Sequence, residues 1–130
     1  MILMIGFLFC FSTLNLSAAE SPEDIVYLQI EPIIVTNYQK KKSKKPGFIQ
    51  LSAQLTTRGK LSADTLTLHM PLIRDFIIEY LSFTPESIIK DVTKRRELRA
   101  ALSKGLQAML TKKVGTPLVE DIIITHYMWD

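Results

Sequence analysis

Between Leu98 and Leu110 the apolar residues recur at a single spacing: Leu98, Ala101, Leu102, Gly105, Leu106, Met109 and Leu110 fall at i, i+3, i+4, i+7, i+8, i+11 and i+12. This period lines them up along one stripe of an α-helix, and such a helix is stable in a small protein only when the stripe is buried against a second layer. Arg96, Arg99, Ser103, Lys104 and Gln107 fall on the polar face. Thr93 is placed to cap the N-terminus, Lys112 and Lys113 suit the C-terminus, Gly115 can end the helix and Pro117 forbids its continuation.

The second layer is written in a different period. From Phe48 to Thr57 (FIQLSAQLTT) the residues alternate, with Ile49, Leu51, Ala53 and Leu55 to one side and Phe48, Gln50, Ser52 and Gln54 to the other, which predicts a half-buried strand. Upstream, Val26 to Tyr38 is rich in β-branched and aromatic residues but contains Pro32, which has no N–H for a ladder; it reads as an edge strand or a bulged one. The two runs form a long hairpin joined by the lysine-rich residues 40–45 and Pro46-Gly47. Leu118 to Trp129 (LVEDIIITHYMW) is too β-branched and aromatic for a surface helix, and is expected to return as a strand of the same sheet.

Between hairpin and final strand the period is helical. Asp64 could cap a helical turn, although the alternation of Thr65, Leu66, Thr67 and Leu68 also fits an extended stretch. From Pro71, Ile73, Phe76, Ile77, Tyr80 and Leu81 form one apolar face. Thr84-Pro85-Glu86 reads as the N-cap, first position and opening turn of a short helix. The order strand, strand, helices, strand predicts an α+β fold, with about three helices packed on one face of a mainly antiparallel sheet built from the N-terminal hairpin and the C-terminal strand.

A chain of 130 residues, 47% hydrophobic and 22% charged, has room for one globular domain. Cys10 is its single cysteine, which excludes a disulfide framework or a cysteine-ligated zinc site within one chain. Residues 1–19 carry no charge: an apolar run from Ile2 to Phe11 is followed by Ser17-Ala18-Ala19, small residues of the kind a signal peptidase accepts, and Glu20 is the first charged residue. They are expected to be a cleavable signal peptide. The alternative is an N-terminal membrane anchor, since nineteen helical residues would reach roughly 28 Å. Ser12, Thr13, Asn15 and Ser17 dilute such a span, and Phe9 before Cys10 does not fit a lipoprotein. Residues 20–130 then form a domain in an exported compartment, expected to be a periplasm, soluble or held at the inner membrane.

The net charge of +3 is local. Lys40, Lys41, Lys42, Lys44 and Lys45 sit in one loop, and without them eleven basic residues face thirteen acidic ones. A second concentration runs from Lys90 to Lys113 and includes Arg95, Arg96, Arg99 and Lys104. No aromatic residue interleaves the lysine run, so stacking on nucleic acid is not expected. The loop reads first as a solvated hairpin tip and second as a site for an acidic polymer, lipid headgroups or cell wall.

The segments YLQIEPIIVTNY, GFIQLSAQL, HMPLIRDFIIEYLS, RRELRAAL and VEDIIITHYMW, in this order over about Tyr27 to Trp129, resemble the FliL family of flagellar basal-body-associated proteins. The block from His69 to Ser82, with Pro71, Ile73, Arg74 and Asp75, is the most specific of them. The resemblance implies a stomatin- and prohibitin-like α+β module, association with stator units of the MotA and MotB type, and self-association into a ring. Two features depart from the family: the apolar segment starts at Met1, where relatives carry a basic tail and a full span, and the chain ends Tyr127-Met128-Trp129-Asp130. A FliL-like paralogue with altered anchoring therefore remains an alternative to the motor protein itself.

Catalysis finds little support in the residues. No G-x-S-x-G elbow, P-loop, dinucleotide fingerprint or metal-ligand spacing is present. His69 and His126 stand alone, and Asp75 and Glu79, one helical turn apart, read as a solvated face sooner than as an acid and base pair. A non-enzyme with no cofactor is expected. A ring needs two different, complementary surfaces. The candidates are a basic one from Arg95, Arg96, Arg99 and Lys104 and an acidic one from Asp75 and Glu79, or from Glu120 and Asp121.

Overall fold

The computed structural model describes residues 24–130, so the expected signal peptide or anchor at 1–19 lies outside the described residues. Strand β3 (Gly47–Arg58) is the spine of the sheet. Strand β4 (Asp121–Trp129) runs antiparallel to it, opposite Ile49 to Thr56. That stretch overlaps the β3 partners of both β1 (Ile25–Gln29) and β2 (Ile34–Tyr38), so these two share the other edge of β3, end to end. Gln29 faces Gln54 and Ile34 faces Leu51, which leaves residues 30–33 against only Ser52 and Ala53. The run from Val26 to Tyr38 is thus both an edge strand and an interrupted one. The two extra residues are taken up around Pro32, which cannot donate to the ladder. A second irregularity lies in β4, where Ser52 faces His126 and Ala53 faces Ile124, leaving Thr125 as a bulge.

After the positive-φ turn at Gly59 come four α-helices, one more than the sequence suggested. Helix α1 (Lys60–Leu68) occupies the stretch whose alternation also fitted an extended chain. It is helical because Ala63 and Leu66, three apart, are both buried, and Asp64 pairs with Lys60 at 2.6 Å inside the helix, so it does not cap a turn. Helix α2 (Met70–Ser82) starts around Pro71 as expected and buries Ile73, Ile77 and Leu81. Thr84 does not cap α3 (Glu86–Ile89): its hydroxyl donates to the Tyr80 carbonyl at 2.7 Å, closing the end of α2 instead. Thr93 is likewise not the cap of the long helix. Asp91 Oδ1 accepts from the Thr93 N–H at 2.9 Å and from its hydroxyl at 2.6 Å, capping a 3-10 turn (Val92–Lys94) that runs directly into α4 (Arg95–Val114). Gly115, at φ 99°, ends α4 as its position predicts.

The helices cover one face of the sheet. Ile49, Leu51, Ala53 and Leu55 of β3 meet Ile73, Ile77 and Leu81 of α2 and Leu98, Leu102, Leu106 and Leu110 of α4 in one buried cluster. Each large aliphatic side chain removed from water there contributes about 1.5–3 kcal/mol. On the opposite sheet face no helix lies among the described residues, and Tyr27, Val35, Phe48 and Met128 are exposed on it. No helix among the described residues is long and apolar enough to cross a membrane.

Candidate partner-binding surfaces

The polar side of α4 is not a uniformly solvated face, because half of it docks on β4. Ser103 is buried: its hydroxyl donates to Asp121 Oδ1 at 2.9 Å and accepts from the Ile122 N–H at 3.1 Å. Gln107 Nε2 donates to the carbonyls of Val119 and Glu120 at 2.9 and 3.1 Å. At the other end of the same flank the Arg95 guanidinium lies 4.3 Å from the centroid of the Tyr127 ring, a cation–π contact. These contacts orient α4 antiparallel to β4, with Arg95 near Tyr127 and Gln107 near Val119.

Arg95, Arg96 and Arg99 consequently line one groove of about 420 Å³ along β4, together with residues 123–127. Lys104 is not part of it; of the four basic residues singled out on α4, the fold gathers three. The acidic alternatives Glu120 and Asp121 are engaged within the chain, Glu120 with Arg58 and Asp121 with Ser103 and, at 3.9 Å, Arg99. Asp75 and Glu79 are exposed on α2 and make no ion pair among the described residues. Their neighbour Arg74 turns back to donate to the Pro32 carbonyl at the strand break.

Glu79 also stands, with Glu97, at the rim of an apolar groove of about 520 Å³ lined by Phe76, Tyr80, Phe83 and Ile88. Sequence periodicity assigned Phe76 and Tyr80 to the core face of α2 and passed over Phe83, which is 79% exposed. The signal was a large aromatic residue directly before Thr84-Pro85, where a helix must stop.

The lysine loop has a fixed base and an open tip. The Lys41 backbone N–H donates to Glu86 Oε2 at 3.0 Å, and Lys40 Nζ lies 3.5 Å from Asp130 Oδ1. Lys41, Lys42, Lys44 and Lys45 are exposed. Behind the loop, Lys90 pairs with Glu86 at 2.9 Å and lies 5.2 Å from the centroid of the Trp129 ring. The hydrogen bond from Lys90, followed by that from the Lys41 N–H, holds the Glu86 carboxyl below its ordinary value, and Lys90 is raised in return. The Phe48 N–H and then Lys40 lower Asp130. Burial pushes the Tyr127 phenol up to about 12, against the opposing effect of Arg95.

His69 lies between α1 and α2, and His126 is exposed across from Ser52. Among the described residues no three His, Cys, Asp or Glu side chains cluster as metal ligands.

The family model for flagellar basal body-associated protein FliL matches residues 27–129, from within β1 to the last residue of β4. No curated protein matches the chain.

Proposed function

Since the chain belongs to the FliL family of flagellar basal body-associated proteins, we propose that it is a non-enzymatic periplasmic accessory of the motor, associating with itself and with stator units of the MotA/MotB type. The observation that carries this reading is that the family match runs from within β1 through the other three strands and the four helices. The placement of charge supports the self-association. A head-to-tail contact closes into a ring only between two different, complementary surfaces. Arg95, Arg96 and Arg99 stand over β4 at one side of the helix layer, while Asp75 and Glu79 project from α2, which packs over β2 at the other. Opposite charges so separated steer and register a contact, while adding modestly to its affinity.

The test reverses Arg96 and Arg99 to Glu, then restores complementarity with Asp75→Lys and Glu79→Lys. Swimming speed and cross-linked ladders should fall in the first variant, with the circular dichroism spectrum unchanged, and recover in part in the second. Motility, stator pull-down and ladders that all survive the first reversal would sink this interface. A second reading keeps the exposed Lys42, Lys44 and Lys45 as a contact for acidic polymer, lipid headgroups or cell wall close to the inner membrane; such binding falls steeply with ionic strength.

A further inference from the structure

The outer edge of β4 is the longer and less interrupted of the two sheet edges. The opposite edge consists of two five-residue strands broken at residues 30–33. On β4 the Ile122 N–H is already capped, by Ser103 Oγ at 3.1 Å and Asp121 Oδ1 at 2.8 Å. Beyond that cap, from Ile123 to Tyr127, the backbone bonds to β3 and to no other described element, and the arginine groove runs alongside it. Charge in this groove is unbalanced. Of the three guanidiniums only that of Arg99 has a carboxylate partner among the described residues, Asp121 at 3.9 Å, whose Oδ1 is already taken by Ser103 and Ile122. Arg95 Nε is buried with no hydrogen-bond acceptor among the described residues.

We propose that this groove binds an extended acidic segment of another protein, which adds to β4 as a further strand and turns carboxylates on alternate residues towards Arg95, Arg96 and Arg99. The spacing fits: alternate residues of a strand are about 6.7 Å apart, and Arg95 and Arg99 are separated by about 6 Å along the helix axis. A segment of five or six residues spans the stretch from Ile123 to Tyr127, across the Thr125 bulge. A strand of a second copy does not fit, and Asp75 and Glu79 of a second copy, being on a helix, meet the arginines without pairing with the β4 backbone. The strands β1 and β2, which carry the other sheet edge, have no charged residue, so their addition would leave the arginines unanswered. Pairing β4 with a second β4 would set three arginines against three. The proposal rests on reading the arginine flank as a partner surface, not on the flagellar assignment.

The probe is a capped hexapeptide of alternating Glu and Val, compared with its Lys–Val counterpart and with a Glu–Val peptide N-methylated on the edge that would face β4. Each is titrated into the full chain and followed by the amide resonances of β4. The acidic peptide should shift and protect the outward amides between Ile123 and Tyr127, and bind at least about ten-fold more tightly than either control. Arg96→Gln with Arg99→Gln should weaken it by a similar factor. Equal binding of the N-methylated peptide would reduce the site to a charge contact and overturn strand addition. So would equal binding of the Lys–Val peptide, or an absence of any β4 shift at about 1 mM peptide. Protection of the β4 edge by self-association before peptide is added would assign the edge to a second copy, and also overturns the proposal. Cross-linking of the chain to itself, recorded on the same samples, reads the assembly proposal separately.

Discussion

Tyr38 closes over Gly47. A β-carbon on Gly47 would stand 2.3 Å from Tyr38 Cζ, and the Tyr38 hydroxyl donates to the Asp130 carbonyl at 2.6 Å. The two residues are register partners at the mouth of the β2–β3 hairpin, and Tyr38 is 1% exposed. Gly47 is therefore where the hairpin makes room for a buried ring, and the ring ties the hairpin to the C-terminus. Gly47→Ala should cost about 3 kcal/mol by overpacking, lowering Tm by more than about 10 °C. Gly105 is the control. Its β-carbon would meet Phe76 Cζ at 2.8 Å, but that ring is half-buried beside an open groove and can turn. Alanine also gains about 1 kcal/mol of helix propensity over glycine, so Gly105→Ala should change stability by less than about 1 kcal/mol. Thermal melts of both variants check the contrast.

Acid should loosen the contacts that pin the lysine loop. Glu86 and Asp130 both have folded-state values depressed below their ordinary 4.5 and 3.8, so the unfolded chain takes up their protons first. Their stabilisation is present above the unfolded values and is lost as pH falls through the depressed folded ones. Melts of Glu86→Gln with Asp130→Asn should show a shallower fall in Tm than the parent between about pH 5 and pH 3. An unchanged slope would show that neither carboxylate is linked to folding.

Tyr127 gives the opposite sign at the alkaline end. Its folded-state value, raised to about 12 by burial, exceeds the ordinary 10, and its hydroxyl donates to the Ile89 carbonyl at 2.8 Å. The stabilisation it contributes is present below pH 10 and is lost as pH rises towards 12. Ultraviolet titration should resolve a phenolate transition near 12 that Tyr127→Phe removes.

Replacing Lys40, Lys41, Lys42, Lys44 and Lys45 by Ser should leave Tm within about 3 °C of the parent, because exposed charges contribute little and a backbone N–H at position 41 survives the change. What small loss occurs should come from Lys40, whose partner is Asp130. A larger fall would mean that the loop packs more deeply than its exposure indicates. Unchanged stability with loss of a co-purifying partner would favour the loop as a binding site.

At the N-terminus we expect processing after Ala19. The intact mass of the exported protein should correspond to a chain beginning at Glu20, recovered in the soluble periplasmic fraction. A mass that includes residues 1–19, with recovery in the membrane fraction, selects the anchor instead.

The elements legible in the sequence are those whose side chains repeat at the period of their own backbone. The stripe from Leu98 to Leu110 and the alternation from Ile49 to Leu55 each name a buried face without reference to anything distant, and both are buried as expected. Gly115 was readable for the same reason, since only the local φ decides it. Helix α1 was ambiguous because Thr65 to Leu68 satisfies two periods at once, and the docking of Ala63 and Leu66 selects the helix. The caps differ from the sequence reading because Thr84 and Thr93 each have another partner close by, the Tyr80 carbonyl for one and the Asp91 carboxylate for the other, and a hydroxyl goes to the better-placed partner.

The charged surfaces mark the limit of the one-dimensional reading. Sequence alone determined that arginines concentrate at the start of α4 and that Asp75 and Glu79 share a helical face. Only the tertiary structure decided that Arg95, Arg96 and Arg99 overhang the β4 edge while Lys104 does not, and that Glu120 and Asp121 are engaged by Arg58, Ser103 and Arg99. Periodicity fixes the direction a side chain takes from its own axis, through 3.6 residues per turn or two per pleat. Which charges then meet depends on how α4 lies across β4, and that is set by contacts between residues far apart in sequence, such as Ser103 with Asp121 and Arg95 with Tyr127.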